Sequence, residues 1–142
     1  ACRMFEKKKQ TGENLSIIFM DMDRLKSIND EFVHIYGDWA IKTIASAILK
    51  YIPEGAVALR SGGDEFLVVL EQTADAEIGK IIGEIREEIR ERSAEMKLPF
   101  PLTVSAGCVH TDMTTGRDLD DYVREADAIM YEEKTAKKAN RT

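Results

Sequence analysis

A pair of glycines between two apolar runs is the feature that most constrains how this chain folds. Gly62 and Gly63 separate a short apolar run, Ala56 to Leu59, from a longer one, Phe66 to Leu70. This spacing predicts a tight β-hairpin whose turn residues need positive φ. Because glycine has no side chain, the backbone of such a turn can also approach a bound group closely.

Two carboxylates follow the glycines directly, at Asp64 and Glu65. Carboxylates beside an open backbone suggest a divalent metal ion and phosphate groups as ligands. The alternative is a plain turn with two solvated acids, since a Gly-Gly hairpin is a weak signal by itself.

Length and composition indicate one soluble domain. The chain has 142 residues, of which 44% are hydrophobic and 32% are charged, so we expect a single domain, 1–142, with one sizeable core. The longest apolar runs are far shorter than a membrane span, and no signal peptide opens the chain. We therefore expect a cytoplasmic domain that makes no membrane contact.

Cysteine usage and charge argue against several classes of function. The two isolated cysteines, Cys2 and Cys108, fit a reducing compartment better than a disulfide framework or a zinc site. The net charge of −6 argues against nucleic acid as a partner. The segment from Lys134 to Arg141 is locally basic, which suits contact with an anion.

Hydrophobic periodicity predicts the elements of the first half of the chain. Leu15 to Met22 is an almost continuous apolar run and predicts a strand buried on both faces, with Asp21 and Asp23 at its carboxyl end. Helical spacing predicts a short helix from Arg24 to Phe32 and a longer helix after Gly37.

The second half continues the pattern after the hairpin. Thr73 is predicted to cap a helix with an isoleucine stripe, Leu102 to His110 alternates as a strand, and Asp118 is predicted to cap a last helix. The residues of that helix assigned to the core are Leu119, Tyr122, Val123, Ala126, Met130 and Tyr131. The order of elements predicts an α/β fold, more narrowly an α+β sandwich, whose mainly antiparallel central sheet is flanked by helices.

The two acidic segments are predicted to meet at one edge of the sheet. If the first strand runs antiparallel to the strand that starts at Glu65, Asp21 and Asp64 share a rim, where hard carboxylate oxygens favour magnesium. The alternative is that Asp21 and Asp23 cap the following helix. The two roles are compatible.

Several segments together carry a resemblance to a known family. They are Asp21 to Asp30 (DMDRLKSIND), His34, Gly37-Asp38, Gly62 to Phe66 (GGDEF), Thr103 to Gly107, and Ala126 to Tyr131 followed by Lys134. These segments resemble GGDEF-domain diguanylate cyclases over nearly the whole chain. The resemblance implies the palm-like nucleotide-cyclase fold and a bacterial enzyme that condenses two GTP molecules into cyclic di-GMP and pyrophosphate across a homodimer.

The resemblance also implies the chemistry of the site. Asp21, the Met22 carbonyl and Asp64 match the family's ligands for Mg²⁺ (or Mn²⁺), and Asp64 is also the candidate base for the attacking 3′-hydroxyl. Lys26 matches a lysine thought to stabilise the transition state, and Glu65 is grouped with the catalytic residues. As an alternative, Lys26 is a solvated helix residue.

The family's substrate contacts match a further set of residues. Asn29 and Asp38 match the guanine readers, and a carboxylate suits the N–H donors of guanine. The alternatives are a local cap for Asn29 and a helix N-cap for Asp38. The remaining positions that match substrate-binding residues are His34, Gly62, Gly63, Lys134 and Lys138.

Alternatives stay open for some of these positions. Lys134 and Lys138 also fit a solvated basic helix end, and His34 also fits a structural role. Trp39, beside Asp38, is expected to pack against the second helix rather than beneath a base.

The chain departs from the family's pattern at a few positions. Val33 stands where the family usually has glycine, which leaves a catalytically silent domain that binds GTP or a partner as the second hypothesis. The sequence Pro53 to Ala56 lacks the arginine and aspartate with which many members bind the inhibitory product. We expect the chain to be a fragment of a longer signalling protein with an upstream sensory domain. A membrane anchor of the full-length protein would lie outside this domain.

Overall fold

The computed structural model describes residues 14–23, 34–60, 65–97, 102–112 and 116–140, apart from the side chains of residues 34–36 and 137–140. In chain order, the elements are β1 (Leu15–Met22), α1 (His34–Tyr51), β2 (Val57–Arg60), β3 (Glu65–Glu71), α2 (Asp75–Met96), β4 (Val104–His110) and α3 (Leu119–Asn140). The predicted helix from Arg24 to Phe32 lies outside the described residues.

The four described strands form one antiparallel sheet in the order β2-β3-β1-β4. The predicted antiparallel pairing of the first strand with the strand from Glu65 is confirmed, and Asp21 lies opposite Glu65. In the hairpin, Arg60 pairs with Phe66, so the connection spans residues 61–65. Of these, 61–64 lie outside the described residues, and positive φ at the two glycines stays a prediction.

β1 is buried on both faces, as its continuous apolar run predicts. Ile18, Met20 and Met22 pack with α1 and α2 on one face, whereas Ile17 and Phe19 pack with α3 on the other. Because side chains alternate along a strand, the α3 face of β1 continues to Asp21. The sheet therefore presents this acid toward the helix that carries Lys134.

Two helix starts differ from the sequence prediction. α1 begins at His34, before Gly37, so Asp38 lies within the helix and the N-cap alternative for Asp38 is wrong. Ala74 is the N-cap of α2 and makes no side-chain cap bond. Thr73 does not cap because its hydroxyl donates back to the Glu71 carbonyl at 2.7 Å, which turns the side chain toward the end of β3.

The start and buried face of α3 follow the prediction closely. Asp118 Oδ1 accepts from the Asp121 N–H at 3.0 Å, and Asp121 Oδ2 accepts from the Asp118 N–H at 3.2 Å, which makes a reciprocal cap. Tyr122 and Met130 are each 2% exposed. Tyr131 is 66% exposed, so its assignment to the core is wrong: one residue along a helix turns the side chain by about 100°, off the buried stripe.

Gly107 lets α3 lie directly on β4. A Cβ atom added at this glycine would be 2.2 Å from the Ala126 carbonyl oxygen and 2.5 Å from the Met130 nitrogen. Both neighbours are helix backbone, which cannot rotate out of the way as a side chain can. The glycine therefore sets the depth at which α3 docks on the sheet.

Other predictions concern single residues. Trp39 is a half-buried residue of α1 that packs against the core, as expected. Cys108 is a free, half-buried thiol, and burial raises its pKa to about 11. Over the described part of the chain, no helix has the length and apolar character needed to cross a membrane.

Candidate active site

The carboxyl end of β1 is the centre of the candidate site. Asp21 is only 8% exposed and lies between Glu65 on β3 and Ser105 on β4 in the strand register. Directly opposed side chains on neighbouring strands lie about 4.5–5.5 Å apart at Cβ, and like charges there are destabilising. A nearby cation would therefore stabilise the adjacent carboxylates of Asp21, at the end of β1, and Glu65, at the start of β3.

α3 supplies a cation to this position. Lys134 Nζ donates to Asp21 Oδ2 at 2.9 Å and to the Met22 carbonyl at 3.3 Å. Lys134 lies one helical turn after Met130, which is buried against the sheet. The docking of α3 thus delivers the ammonium to the strand end.

The oxygen pair at this strand end fits a hard divalent cation. The carboxylate oxygen of Asp21 and the carbonyl oxygen of Met22 already converge on one positively charged group. Carboxylate and carbonyl oxygens are the ligands that Mg²⁺ and Ca²⁺ prefer. Within the described ranges, no group of three His, Cys, Asp or Glu side chains is arranged to hold a metal, so a complete ligand set would need a further ligand, and the predicted one, Asp64, lies outside those ranges.

Asp23 fastens the end of β1 to β4. Its two carboxylate oxygens accept hydrogen bonds from Ser105 Oγ and Thr103 Oγ1, each at 2.7 Å, and its N–H donates to the Thr103 carbonyl at 2.9 Å. The residue is 3% exposed, so these are buried, charge-assisted bonds. This network fixes the backbone that carries Asp21 and Met22.

The hydrogen bonds of Asp23 to Thr103 and Ser105 were not predicted from the sequence. Thr103 and Ser105 belong to the strand segment that carries the family resemblance, but the sequence of that segment does not identify Asp23 as their hydrogen-bond acceptor. The available signal was the alternation of small hydroxyl residues with apolar ones on β4, together with a second acid two positions after Asp21.

A second network holds the helix next to the site. Arg86 on α2 donates to Glu133 on α3 and, at 3.3 Å, to the Val104 carbonyl at the start of β4. Glu133 directly precedes Lys134. The bridge therefore restrains the segment of α3 from which the lysine reaches the strand end. It was not predicted from the sequence either.

The structure brings together three of the residues predicted from the sequence: Asp21, Met22 and Lys134, with Glu65 opposite Asp21. Asp38 is exposed on α1. His34 and Lys138 lie in α1 and α3, but their side chains are outside the description. The predicted residues that lie wholly outside it are Lys26, Asn29, Gly62, Gly63 and Asp64.

A serine, a histidine and an aspartate also form a chain at the opposite end of β1. Ser16 Oγ lies 2.8 Å from His110 Nδ1, and His110 Nε2 lies 2.5 Å from Asp75 Oδ1. Ser16 is fully buried, and its hydroxyl also accepts from the Thr73 N–H at 2.9 Å. A nucleophile must be reachable by its substrate, so this chain is a structural link between β1, β4 and the start of α2.

The fold and the site together define an α+β sandwich in which an acid at the end of a central strand, Asp21, pairs with a lysine from the last described helix. The chain belongs to the GGDEF family: the family model described as diguanylate cyclase, GGDEF domain, matches residues 3–140. The resemblance drawn from the sequence is therefore confirmed.

Relatives with curated names agree with this membership. Diguanylate cyclase DgcP of Escherichia coli (strain K12) is 33% identical over 136 residues, which cover 94% of this chain and 39% of DgcP. Cyclic di-GMP phosphodiesterase PdeR of the same organism is 29% identical over 136 residues, which cover 92% of this chain and 19% of PdeR. The chain thus spans less than half the length of these two relatives.

Solved structures support the same fold. The GGDEF domain of DgcB from Caulobacter crescentus in complex with c-di-GMP superposes with a TM-score of 0.83 at 26% identity, over 95% of this chain and 80% of that one. The active GGEEF domain of a diguanylate cyclase from Vibrio cholerae gives a TM-score of 0.74 at 30% identity, over 94% and 85%. The predicted α+β fold with an antiparallel sheet is confirmed.

Proposed function

We propose that this chain is a diguanylate cyclase domain, which joins two GTP molecules into cyclic di-GMP and releases two pyrophosphates. The 3′-hydroxyl of each nucleotide attacks the α-phosphorus of the other, and the bond from that phosphorus to the β-phosphate oxygen breaks. Each subunit of a homodimer presents one GTP, so the reacting groups meet across the dimer.

The observation that carries the proposal is the convergence of Asp21 Oδ2, the Met22 carbonyl and Lys134 Nζ at the end of the central strand. Phosphoryl transfer consists mainly of positioning a polyanion and offsetting its charge. A rigid strand end with a carboxylate, a carbonyl and an ammonium supplies groups for both tasks.

Asp21, the Met22 carbonyl and Asp64 would hold a Mg²⁺ or Mn²⁺ ion. A bound divalent ion would supply charge neutralisation and polarisation of the phosphoryl group. Asp64 would also accept the proton of the attacking 3′-hydroxyl, and Glu65, opposite Asp21, would keep the local field negative enough to retain the ion.

The other predicted residues would bind the nucleotide. Lys26 would stabilise charge that develops in the transition state, while Lys134 and Lys138 would contact the outer phosphates. Gly62 and Gly63 would let the backbone approach the nucleotide closely.

Guanine selectivity would come from Asn29 and Asp38, with His34 close to the nucleotide loop. Asp38 is exposed on α1 and so is available to a ligand. Its carboxylate can accept from the N1–H and N2–H donors of guanine, whereas adenine presents an unprotonated N1 that the charge would repel.

A second candidate function is a catalytically silent domain that binds GTP or a partner protein and regulates a neighbouring module. One observation favours it: PdeR, which matches 92% of this chain, is named as a phosphodiesterase. Under either function we place the domain in the bacterial cytoplasm, with an upstream sensory domain in the full-length protein.

Product analysis separates the two functions. The chain, with and without a fused dimerising coiled coil, is incubated with Mg²⁺ and either GTP or ATP, and the products are separated by chromatography. Cyclic di-GMP and pyrophosphate from GTP, with no ATP product, would support the cyclase. GTP that binds but is returned unchanged by the dimeric form would favour the silent domain, and equal affinity for ATP would count against the guanine readers.

A further inference from the structure

The ammonium of Lys134 lies where two oxygens of the β1 end converge. It is 2.9 Å from Asp21 Oδ2 and 3.3 Å from the Met22 carbonyl oxygen. Side-chain exposure is 29% for Lys134 and 11% for Asp21, so the pair is largely shielded from water. A shielded ion pair is screened less by salt than a surface pair.

A metal ion and this ammonium cannot share the two oxygens. A Mg²⁺ ion lies about 2.0–2.1 Å from its ligands, so an ion held by both Asp21 Oδ2 and the Met22 carbonyl would fill the space that the ammonium takes. Like charges so close together repel strongly where water is scarce. The two modes of binding are therefore mutually exclusive.

The helix that carries Lys134 is too firmly docked to move away as a unit. Ala126 and Met130 are 0% and 2% exposed, and the close approach at Gly107 seats α3 on the sheet. The lysine side chain, in contrast, is a flexible four-carbon stem that can swing its ammonium to a new partner. An ammonium displaced from Asp21 would thus stay beside the strand end.

We propose that Lys134 is a tethered counter-cation of this site, which a divalent ion displaces from Asp21 and which then contacts an anionic group of the nucleotide. Without the metal, Lys134 offsets the repulsion between Asp21 and Glu65. With the metal, the same ammonium is free for phosphate. Metal binding is thereby coupled to nucleotide binding through one side chain. The contact with the nucleotide rests on the proposed function. The competition between the metal ion and the ammonium needs only Asp21, the Met22 carbonyl and Lys134.

The competition predicts that removing the lysine strengthens metal binding. Mn²⁺ is titrated into the protein without nucleotide, and free Mn²⁺ is followed by electron paramagnetic resonance. Lys134→Met, which keeps the apolar stem, should bind Mn²⁺ about 10-fold more tightly than the wild type, in the range typical of coupling between sites. Lys80→Met, which removes an exposed lysine from α2, is the charge-matched control and should bind Mn²⁺ like the wild type.

The same substitution should have the opposite effect on nucleotide affinity. In saturating Mg²⁺, Lys134→Met should bind a non-hydrolysable GTP analogue about 10-fold more weakly than the wild type, because the phosphate loses its ammonium. Lys134→Arg keeps a cation and should not tighten Mn²⁺ binding. Mn²⁺ should also raise the melting temperature of Lys134→Met more than that of the wild type, since at a given ligand concentration the stabilisation increases as the dissociation constant falls.

The outcomes separate this inference from the proposed function. Unchanged, weaker or undetectable Mn²⁺ binding in Lys134→Met would overturn the competition, and so would equal tightening in Lys80→Met. If the wild type makes cyclic di-GMP under those results, the cyclase stands without the exchange. If Mn²⁺ binding tightens in a chain that makes no cyclic di-GMP, the exchange stands and the cyclase does not.

Discussion

Replacing Gly107 by alanine should push the last helix off the sheet and so disturb the site at a distance. The new Cβ would be 2.2 Å from the Ala126 carbonyl oxygen and 2.5 Å from the Met130 nitrogen, and 3.0 Å from the Ile129 Cβ. A carbon and an oxygen in tight contact are about 3.3–3.6 Å apart. Relief of the clash therefore needs a shift of about 1 Å between β4 and α3.

The size of the effect follows from the rigidity of the neighbours. Overpacking a well-packed core costs about 1–3 kcal/mol, and we expect the upper part of that range because both close neighbours are backbone atoms. For a domain of this size, each 1 kcal/mol lowers the melting temperature by about 3 °C. Gly107→Ala should thus melt about 6–9 °C below the wild type, and a shift of about 1 Å would lengthen the 2.9 Å contact between Lys134 and Asp21.

The assay is thermal unfolding followed by circular dichroism, with nucleotide affinity measured on the folded variant. Gly79→Ala on α2 is the matched control, because a Cβ there meets nothing within 4 Å. That change should leave affinity unaltered and stabilise the chain by up to about 1 kcal/mol, since alanine favours a helix over glycine. A Gly107→Ala variant with wild-type melting and affinity would refute the idea that this glycine seats α3.

Three further predictions concern groups that are buried or half-buried. Asp23→Ala should lower the free energy of unfolding by about 3 kcal/mol in urea titration, because it removes two buried hydrogen bonds to a charged acceptor. In a Cys2→Ser background, alkylation of Cys108 near neutral pH should be about 100-fold slower than that of a free thiol and should rise with pH toward its pKa of about 11. The hydrogen bond from Lys50 lowers the pKa of Glu88 below its usual value of 4.5. The stability that the ionised Glu88 contributes is therefore complete above pH 4.5, and it is lost as the pH falls through the lower pKa of the folded state. Urea unfolding at pH 7 and pH 3 should therefore show a larger loss of stability for the wild type than for Glu88→Gln.

Most of the described fold could be predicted because its signals are local. The apolar run of β1, the isoleucine stripe of α2 and the reciprocal cap around Asp118 each depend on residues close together in the chain. Local signals failed where a distant partner competes. Thr73 resembles an N-cap, but its N–H donates to Ser16 Oγ at 2.9 Å and its hydroxyl turns back to β3, so tertiary contacts decide its role.

The site could be predicted only in part, for a related reason. Strand pairing of Asp21 with the segment after Gly63 follows from chain order and antiparallel geometry. The links of Asp23 to Thr103 and Ser105 join residues 80 and 82 positions apart, and no periodicity in the sequence specifies them. The contact between Lys134 and Asp21 was not predictable either. The family resemblance matched Asp21 to a metal ligand and Lys134 to a phosphate-binding residue, whereas the fold places the two side chains in direct contact.

The most direct test of the account is the position of the metal ion. Crystals of the chain grown with Mn²⁺ and a non-hydrolysable GTP analogue would locate the ion by its anomalous scattering. We expect an anomalous peak within about 2.5 Å of both an Asp21 carboxylate oxygen and the Met22 carbonyl oxygen, beside the nucleotide phosphates. A nucleotide bound with its metal held elsewhere, and with neither of these oxygens as a ligand, would contradict it.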